Sequence, residues 1–249
     1  MFRLVAILAA TAPNFLSIFM LQSFGWFAYE PPQPDALESA VAMAHAYATA
    51  YLPVVLAFLA LWAPRWFATA GTIAAAGTLL ATVVNVVVVG TGSFGPQMGI
   101  ALACEAIAVA ALLRARPERR VPWPRAVIWS AVVLLALVRT LARNTPSSDP
   151  GCWADMKGTW ALAFYHLDTA HGLYYWVSLA AIGAVLSQHR AASLCGLALL
   201  VPALFQPAAW LLSDAPHNCS SALELFDWPY LVAGVLALLS HVRLTRQTQ

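Results

Sequence analysis

An apolar run without a charged side chain fills residues 66–90, which read WFATAGTIAAAGTLLATVVNVVVVG. Its few polar residues are threonines and one amide, Asn85. As an α-helix, this run would be about 37 Å long, whereas the hydrocarbon core of a bilayer is about 30 Å thick. The run therefore predicts a membrane-spanning helix.

Runs of this kind recur along the whole chain. Hydrophobic residues make up 61% of the 249 residues and charged residues 10%, against roughly 25% charged in an ordinary soluble domain. Residues typical of turns separate the runs. We therefore expect an all-α, polytopic membrane helix bundle of about eight transmembrane helices, forming a single domain over residues 1–249 with no soluble domain. The predicted spans are 3–28, 38–62, 66–90, 97–115, 125–143, 158–186, 191–212 and 222–242.

Basic residues fall unevenly on the two sets of alternating loops. Of the 13 Lys and Arg residues, all except Arg139, Arg143 and Lys157 lie on the side that holds both ends of the chain. Because basic loops stay in the cytoplasm during insertion, we expect both termini to be cytoplasmic. The Arg-rich, Lys-poor composition indicates the plasma (inner) membrane of a bacterium. A net charge of +2 gives no support to nucleic-acid binding, so the expected surroundings are the lipid bilayer.

Polar side chains of separate spans fall at one depth. Counting about 1.5 Å per residue from the outer helix ends places most of them roughly 8–12 Å below the outer surface. Polar groups inside a bilayer are costly, so a common depth predicts a polar cavity that opens to the outside. We expect Arg139 or Arg143 to attract an anionic headgroup there. The predicted ligand-binding residues are Arg139, Arg143, His166, Asn85, Gln206 and Asp227.

The sixth span holds the densest group of functional side chains. Asp168 and His171 are three residues apart and share one helical face. On such a face the carboxylate can orient the imidazole as a general base, or both can ligate a metal. His45 and Glu105, from two other spans, would complete a histidine and carboxylate set of the kind that catalytic zinc uses. These four residues are the predicted catalytic site, and zinc or another divalent metal is the candidate cofactor.

Two of the four cysteines fall in predicted outer loops. Cys152 precedes the sixth span and Cys219 precedes the eighth. The outer side of a bacterial inner membrane is oxidising, so we expect a disulfide between them.

The leading functional hypothesis is acid–base or metal-assisted chemistry on a lipid-like substrate, as in a membrane-embedded hydrolase. A second class is a transporter or binding module for a small amphipathic ligand or an ion, which would use the same cavity without covalent chemistry. A third is a haem-bearing electron-transfer protein, with His45 opposite His166 or His171. A fourth is an accessory subunit of a larger membrane complex.

Overall fold

A computed structural model describes residues 1–23, 36–90, 95–117, 120–141, 172–212 and 227–245. Within these ranges the chain forms eight α-helices and no strand, so the predicted all-α class is confirmed. The polytopic membrane arrangement stays a prediction. The helices are α1 (Phe2–Ser23), α2 (Ala36–Trp62), α3 (Phe67–Val88), α4 (Gly95–Leu113), α5 (Trp123–Leu141), α6 (Gly172–Val185), α7 (Ala192–Leu212) and α8 (Trp228–Thr245).

Turn chemistry sets the helix ends between α2 and α4. Pro64 follows the end of α2, and the Trp66 N–H closes the turn by donating to the carbonyl of Ala63 at 2.8 Å. At the end of α3, the Val89 N–H donates to the carbonyl of Asn85 at 2.9 Å. Gly90 follows with φ +83°, a left-handed conformation that glycine adopts without the steric cost of a Cβ atom.

The chain divides into two compact units, Met1–Val121 and Pro122–Gln249. In the first unit, α1 packs on α2, α2 on α3, α3 on α4, and α4 on α1. A Cβ atom on Gly71 of α3 would lie 3.0 Å from side-chain carbons of both Leu56 on α2 and Leu112 on α4. The three helices therefore approach closely at this glycine. The prediction of a single transmembrane domain stays a prediction.

The second unit repeats this neighbour pattern with its own four helices: α5 packs on α6, α6 on α7, α7 on α8, and α8 on α5. Small residues allow the close contacts. A Cβ atom on Gly196 would lie 2.8 Å from the Cβ of Ala237, and one on Gly234 would lie 2.5 Å from Leu200. Gly183 of α6 faces the indole ring of Trp129 on α5, which is fully buried.

Two helices of the described part, α2 and α3, are long and apolar enough to cross a membrane. Both also present large apolar side chains outward, including Leu37 and Met43 on α2 and Ile73, Leu80 and Val87 on α3. By themselves these two helices give weak support to a membrane protein, since length and composition are the only criteria they satisfy.

Arg3 ties α1 to the turn between α2 and α3. Its guanidinium group donates to the carbonyl of Pro64 at 2.9 Å and lies over the Phe67 ring, with Cζ 4.4 Å from the ring centroid. Pro64 lies two residues after the C-terminal end of α2, where the partial negative charge of the helix favours a cation. This contact explains why an arginine at the second position of a helix is buried, with 7% of its surface exposed.

We expect Arg3→Ala to lower the free energy of unfolding by about 1.5–3 kcal/mol, because a buried hydrogen bond from a charged donor is lost. Thermal or denaturant unfolding of the purified protein in detergent measures the change. Arg65→Ala is the matched control: Arg65 lies in the same turn with an exposed side chain, so its replacement should change stability by less than about 0.5 kcal/mol. Equal effects of the two substitutions would contradict a specific role for Arg3.

Candidate functional site

A buried polar stripe runs along α3. Thr78, Thr82 and Asn85 are spaced four and three residues apart and therefore share one face of the helix. The two threonine hydroxyls lie 3.1 Å from the carbonyl oxygens one turn earlier, those of Ala74 and Thr78. Such back-bonding is how a helix holds hydroxyl groups in an apolar interior. The stripe can thus form hydrogen bonds with polar groups of neighbouring helices.

Glu105 of α4 meets this stripe. Its side chain is among the largest fully buried ones of the described chain, with 1% of the residue exposed. The carboxylate oxygen Oε1 accepts a hydrogen bond from the Thr82 hydroxyl at 2.9 Å and another from the Thr49 hydroxyl of α2 at 3.3 Å. The second oxygen, Oε2, has no hydrogen-bond partner within the described residues. One half of the carboxyl group is therefore anchored and the other half is free.

His45 of α2 lies on the other side of Thr82. Its ring nitrogen Nδ1 is 3.0 Å from the Thr82 hydroxyl oxygen, and the residue is only half-buried. The hydroxyl group carries one hydrogen. When that hydrogen points to Glu105, the Nδ1–H of His45 can donate to the same oxygen. We call the resulting chain of hydrogen bonds from His45 through Thr82 to Glu105 the relay.

The described partners of Glu105 are neutral. In the described part of the chain this carboxylate forms no ion pair, and its hydrogen-bond donors are hydroxyl groups. A carboxyl group held by hydrogen bonds within reach of an imidazole is a candidate general acid or base.

Arg139 and Asp227 form the buried ion pair of the second unit. Nε of Arg139 on α5 donates to Oδ2 of Asp227, and both side chains are 3% exposed. Asp227 directly precedes α8, where it also accepts a hydrogen bond from the backbone N–H of Tyr230, as an N-cap residue does. The Tyr230 ring lies beside the guanidinium group, 5.9 Å from Cζ to the ring centroid. The structure thus joins two predicted ligand-binding residues to each other, and headgroup recognition by Arg139 stays a prediction.

Several predicted site residues cannot be placed. Gln206 lies on α7, but its side chain is not among those described, and six further residues lie outside the described residues. The predicted catalytic pair of the sixth span, the predicted disulfide and the second arginine for an anionic headgroup therefore stay predictions. The six residues are Arg143, Cys152, His166, Asp168, His171 and Cys219.

Among the predicted residues that the structure describes, His45 and Glu105 are brought together, and Asn85 lies one helical turn from Thr82, which connects them. Thr82 and Thr49 were not among the predicted site residues. A signal was present, because Thr78, Thr82 and Asn85 repeat along one face of an otherwise apolar helix.

The described residues do not form the predicted set of metal ligands. They include no group of three or more His, Cys, Asp or Glu side chains that could hold a metal ion. His45 and Glu105 meet through a hydroxyl group, which is a hydrogen-bonded arrangement and not shared coordination. The described arrangement can move a proton between a half-buried imidazole and a buried carboxyl group.

No protein-family model, curated protein or solved structure matches this chain.

Proposed function

We propose that this chain is an integral protein of a bacterial inner membrane whose first unit performs acid–base chemistry on a lipid-like substrate. The observation that supports the proposal most is the relay, in which two hydrogen bonds of 3.0 and 2.9 Å connect His45 to Glu105. Ionisable residues inside membrane helices are rare and are typical of proton pathways and functional sites. Eight apolar helices and basic residues concentrated on one set of loops favour the membrane location.

The mechanism follows from the hydrogen-bond geometry. His45 is the half-buried end of the relay and Glu105 is the buried end, so the substrate exchanges its proton with His45. His45 gives the hydrogen on Nε2 to the substrate, its Nδ1 takes the hydroxyl hydrogen of Thr82, and Thr82 takes the hydrogen on Oε1 of protonated Glu105. The net result is transfer of one proton from Glu105 to the substrate through His45, and the reverse sequence makes His45 a general base. Positioned proton transfer of this kind contributes about 10²–10⁴-fold to a reaction rate.

The outward face of α2 favours a lipid-like substrate. Met43 and Tyr47 share this face and are 56% and 53% exposed. Tyr47 also stacks on Tyr51 of the next turn, with ring centroids 5.9 Å apart. His45 is two residues from each of them and therefore lies on the other side of the helix, so a molecule that approaches α2 meets apolar and aromatic surface before it reaches the relay. Such a surface binds an acyl or isoprenoid chain better than a hydrophilic metabolite.

The test removes the hydroxyl group of Thr82, which lies in the middle of the relay. Thr82→Val keeps the shape of the side chain and removes the hydroxyl group, so turnover should fall by about 10²–10⁴-fold, the contribution expected of a positioned acid or base. Thr82→Ser restores the hydroxyl group and should restore most of the turnover. The measurement is conversion of a bacterial lipid extract in proteoliposomes, followed by mass spectrometry.

The matched control is Thr78→Val, one turn away on the same face, where the hydroxyl group bonds the carbonyl of Ala74. This variant should keep wild-type turnover. Full turnover in Thr82→Val, or in Glu105→Gln, would contradict the proposal. Accumulation of an unmodified compound inside the vesicles, without any conversion, would replace it with the transport alternative.

A further inference from the structure

Two buried oxygen atoms beside the relay have no donor. They are Oε2 of Glu105 and the amide oxygen Oδ1 of Asn85, and neither has a hydrogen-bond partner within the described residues. Both side chains are almost completely inaccessible, with 1% and 4% of each residue exposed. A buried acceptor left without a donor costs about 1–3 kcal/mol. Two such atoms on facing helices indicate that something outside the described chain satisfies them.

The two atoms belong to one place in the first unit. Asn85 lies three residues beyond Thr82, about 4.5 Å farther along the axis of α3 and on the same face. Thr82 holds the Glu105 carboxylate, so Asn85 is about one turn from that carboxylate, toward the connection between α3 and α4. On α4 the residue one turn before Glu105 is Ala101, which is buried and small. A small side chain at this level lets α4 approach the face of α3 that carries Asn85.

Thr49 adds a further oxygen atom. Its hydroxyl group donates to Oε1 of Glu105 at 3.3 Å, which leaves the lone pairs of the hydroxyl oxygen available. Thr49 therefore presents an acceptor beside the carboxylate that it already bonds.

We propose that Glu105, Asn85 and Thr49 bind a small monovalent cation. The available atoms are carboxylate, amide and hydroxyl oxygens, which suit alkali ions and protonated amines and not the transition metals that prefer nitrogen or sulfur. One carboxylate balances one positive charge, as Asp227 does for Arg139 in the second unit. The cation supplies the missing partner of Oε2. The site goes beyond the proton transfer proposed above: it shares Glu105 with the relay, binds that residue as the carboxylate, and does not use the hydroxyl group of Thr82.

The test compares salts on the full-length wild-type protein in detergent, with Tm as the readout. Sodium, potassium and methylammonium chloride are each titrated against choline chloride of equal ionic strength, because choline is too large for a site between packed helices. A ligand that binds only the folded state raises Tm with its concentration. We expect sodium or potassium, or methylammonium, to raise Tm while choline does not. A response to the alkali ions alone identifies an inorganic ion, and a response to methylammonium alone identifies a protonated amine such as a lipid headgroup.

Variants then locate the site. Asn85→Leu keeps the size of the side chain and removes the amide oxygen, so the concentration of cation at half effect should rise at least about tenfold, which corresponds to 1.4 kcal/mol. Thr78→Val, on the same face but outside the proposed ligand set, should leave that concentration unchanged. Identical Tm curves in all salts, or an unchanged response in Asn85→Leu, would overturn the inference. Thr82→Val separates the two proposals, because it removes the relay but should keep the response to the cation.

Discussion

Asp227→Asn should lower the free energy of unfolding by about 3–5 kcal/mol, the usual cost of removing one partner from a buried ion pair. Asparagine is as good an N-cap residue as aspartate, so the start of α8 keeps its cap. What the substitution removes is the negative charge that faces Arg139, whose side chain is 3% exposed. The buried guanidinium group then loses the counter-charge that Asp227 supplies. Denaturant or thermal unfolding of the purified protein in detergent measures the loss.

The double variant Arg139→Met with Asp227→Asn tests the cause. Removing both charges should recover most of the lost stability, since replacing a buried ion pair by neutral groups is often neutral or stabilising. Arg190→Ala serves as the control, because Arg190 is exposed in the turn before α7 and its replacement should have little effect. If the double variant were no more stable than Asp227→Asn alone, the loss would not come from an isolated charge.

Gly183→Ala should also destabilise the second unit, by about 1–3 kcal/mol, because it adds an atom to a packed interior. The new Cβ atom would lie 2.4 and 2.5 Å from two carbons of the Trp129 ring and 3.0 Å from the Cβ of Cys195. The indole ring is fully buried. Either the ring or helix α6 must shift. The same unfolding measurement reports the size of the effect.

Gly77→Ala is the matched control for this substitution. Gly77 also lies within a helix, but a Cβ atom there would meet nothing within 4 Å. Alanine favours the helical state over glycine by about 0.5–1 kcal/mol, so this variant should be at least as stable as the wild type. Combining Gly183→Ala with Trp129→Phe should recover part of the loss, because the smaller ring makes room. Equal effects of Gly77→Ala and Gly183→Ala would show that the contact with Trp129 does not determine the effect of Gly183→Ala.

The positions of the helices could be predicted from the sequence because apolar run length and turn residues report them directly. The predicted 38–62 and 66–90 correspond to α2 and α3, whose shared turn is marked by Pro64 and whose far end is marked by Gly90. The level of a side chain along its helix could also be predicted, since a fixed rise per residue places His45, Asn85 and Glu105 at a similar level.

Which helices contact each other could not be predicted in the same way. Rise per residue gives depth but no information on which helices touch, and α1 closes the first unit by packing on α4, far away in sequence. Thr82 was missed for this reason: a threonine within a helix usually bonds its own backbone, and only the approach of α2 and α4 gives it His45 and Glu105 as partners. Arg3 is similar, because counting basic residues assigns it to a loop face while the structure places it on Pro64 and Phe67.

The neighbour pattern of the two units has a consequence for biogenesis. Most helices pack on the helix made just before or just after them, so each new hairpin can assemble as soon as it has been synthesised. The exceptions are the contacts of α1 with α4 and of α5 with α8, which wait until the last helix of a unit has been synthesised. The first unit can therefore be completed once α4 has been synthesised, and the second unit once α8 has been synthesised. Glu105 lies on α4, so its carboxylate can be buried before the second unit is made.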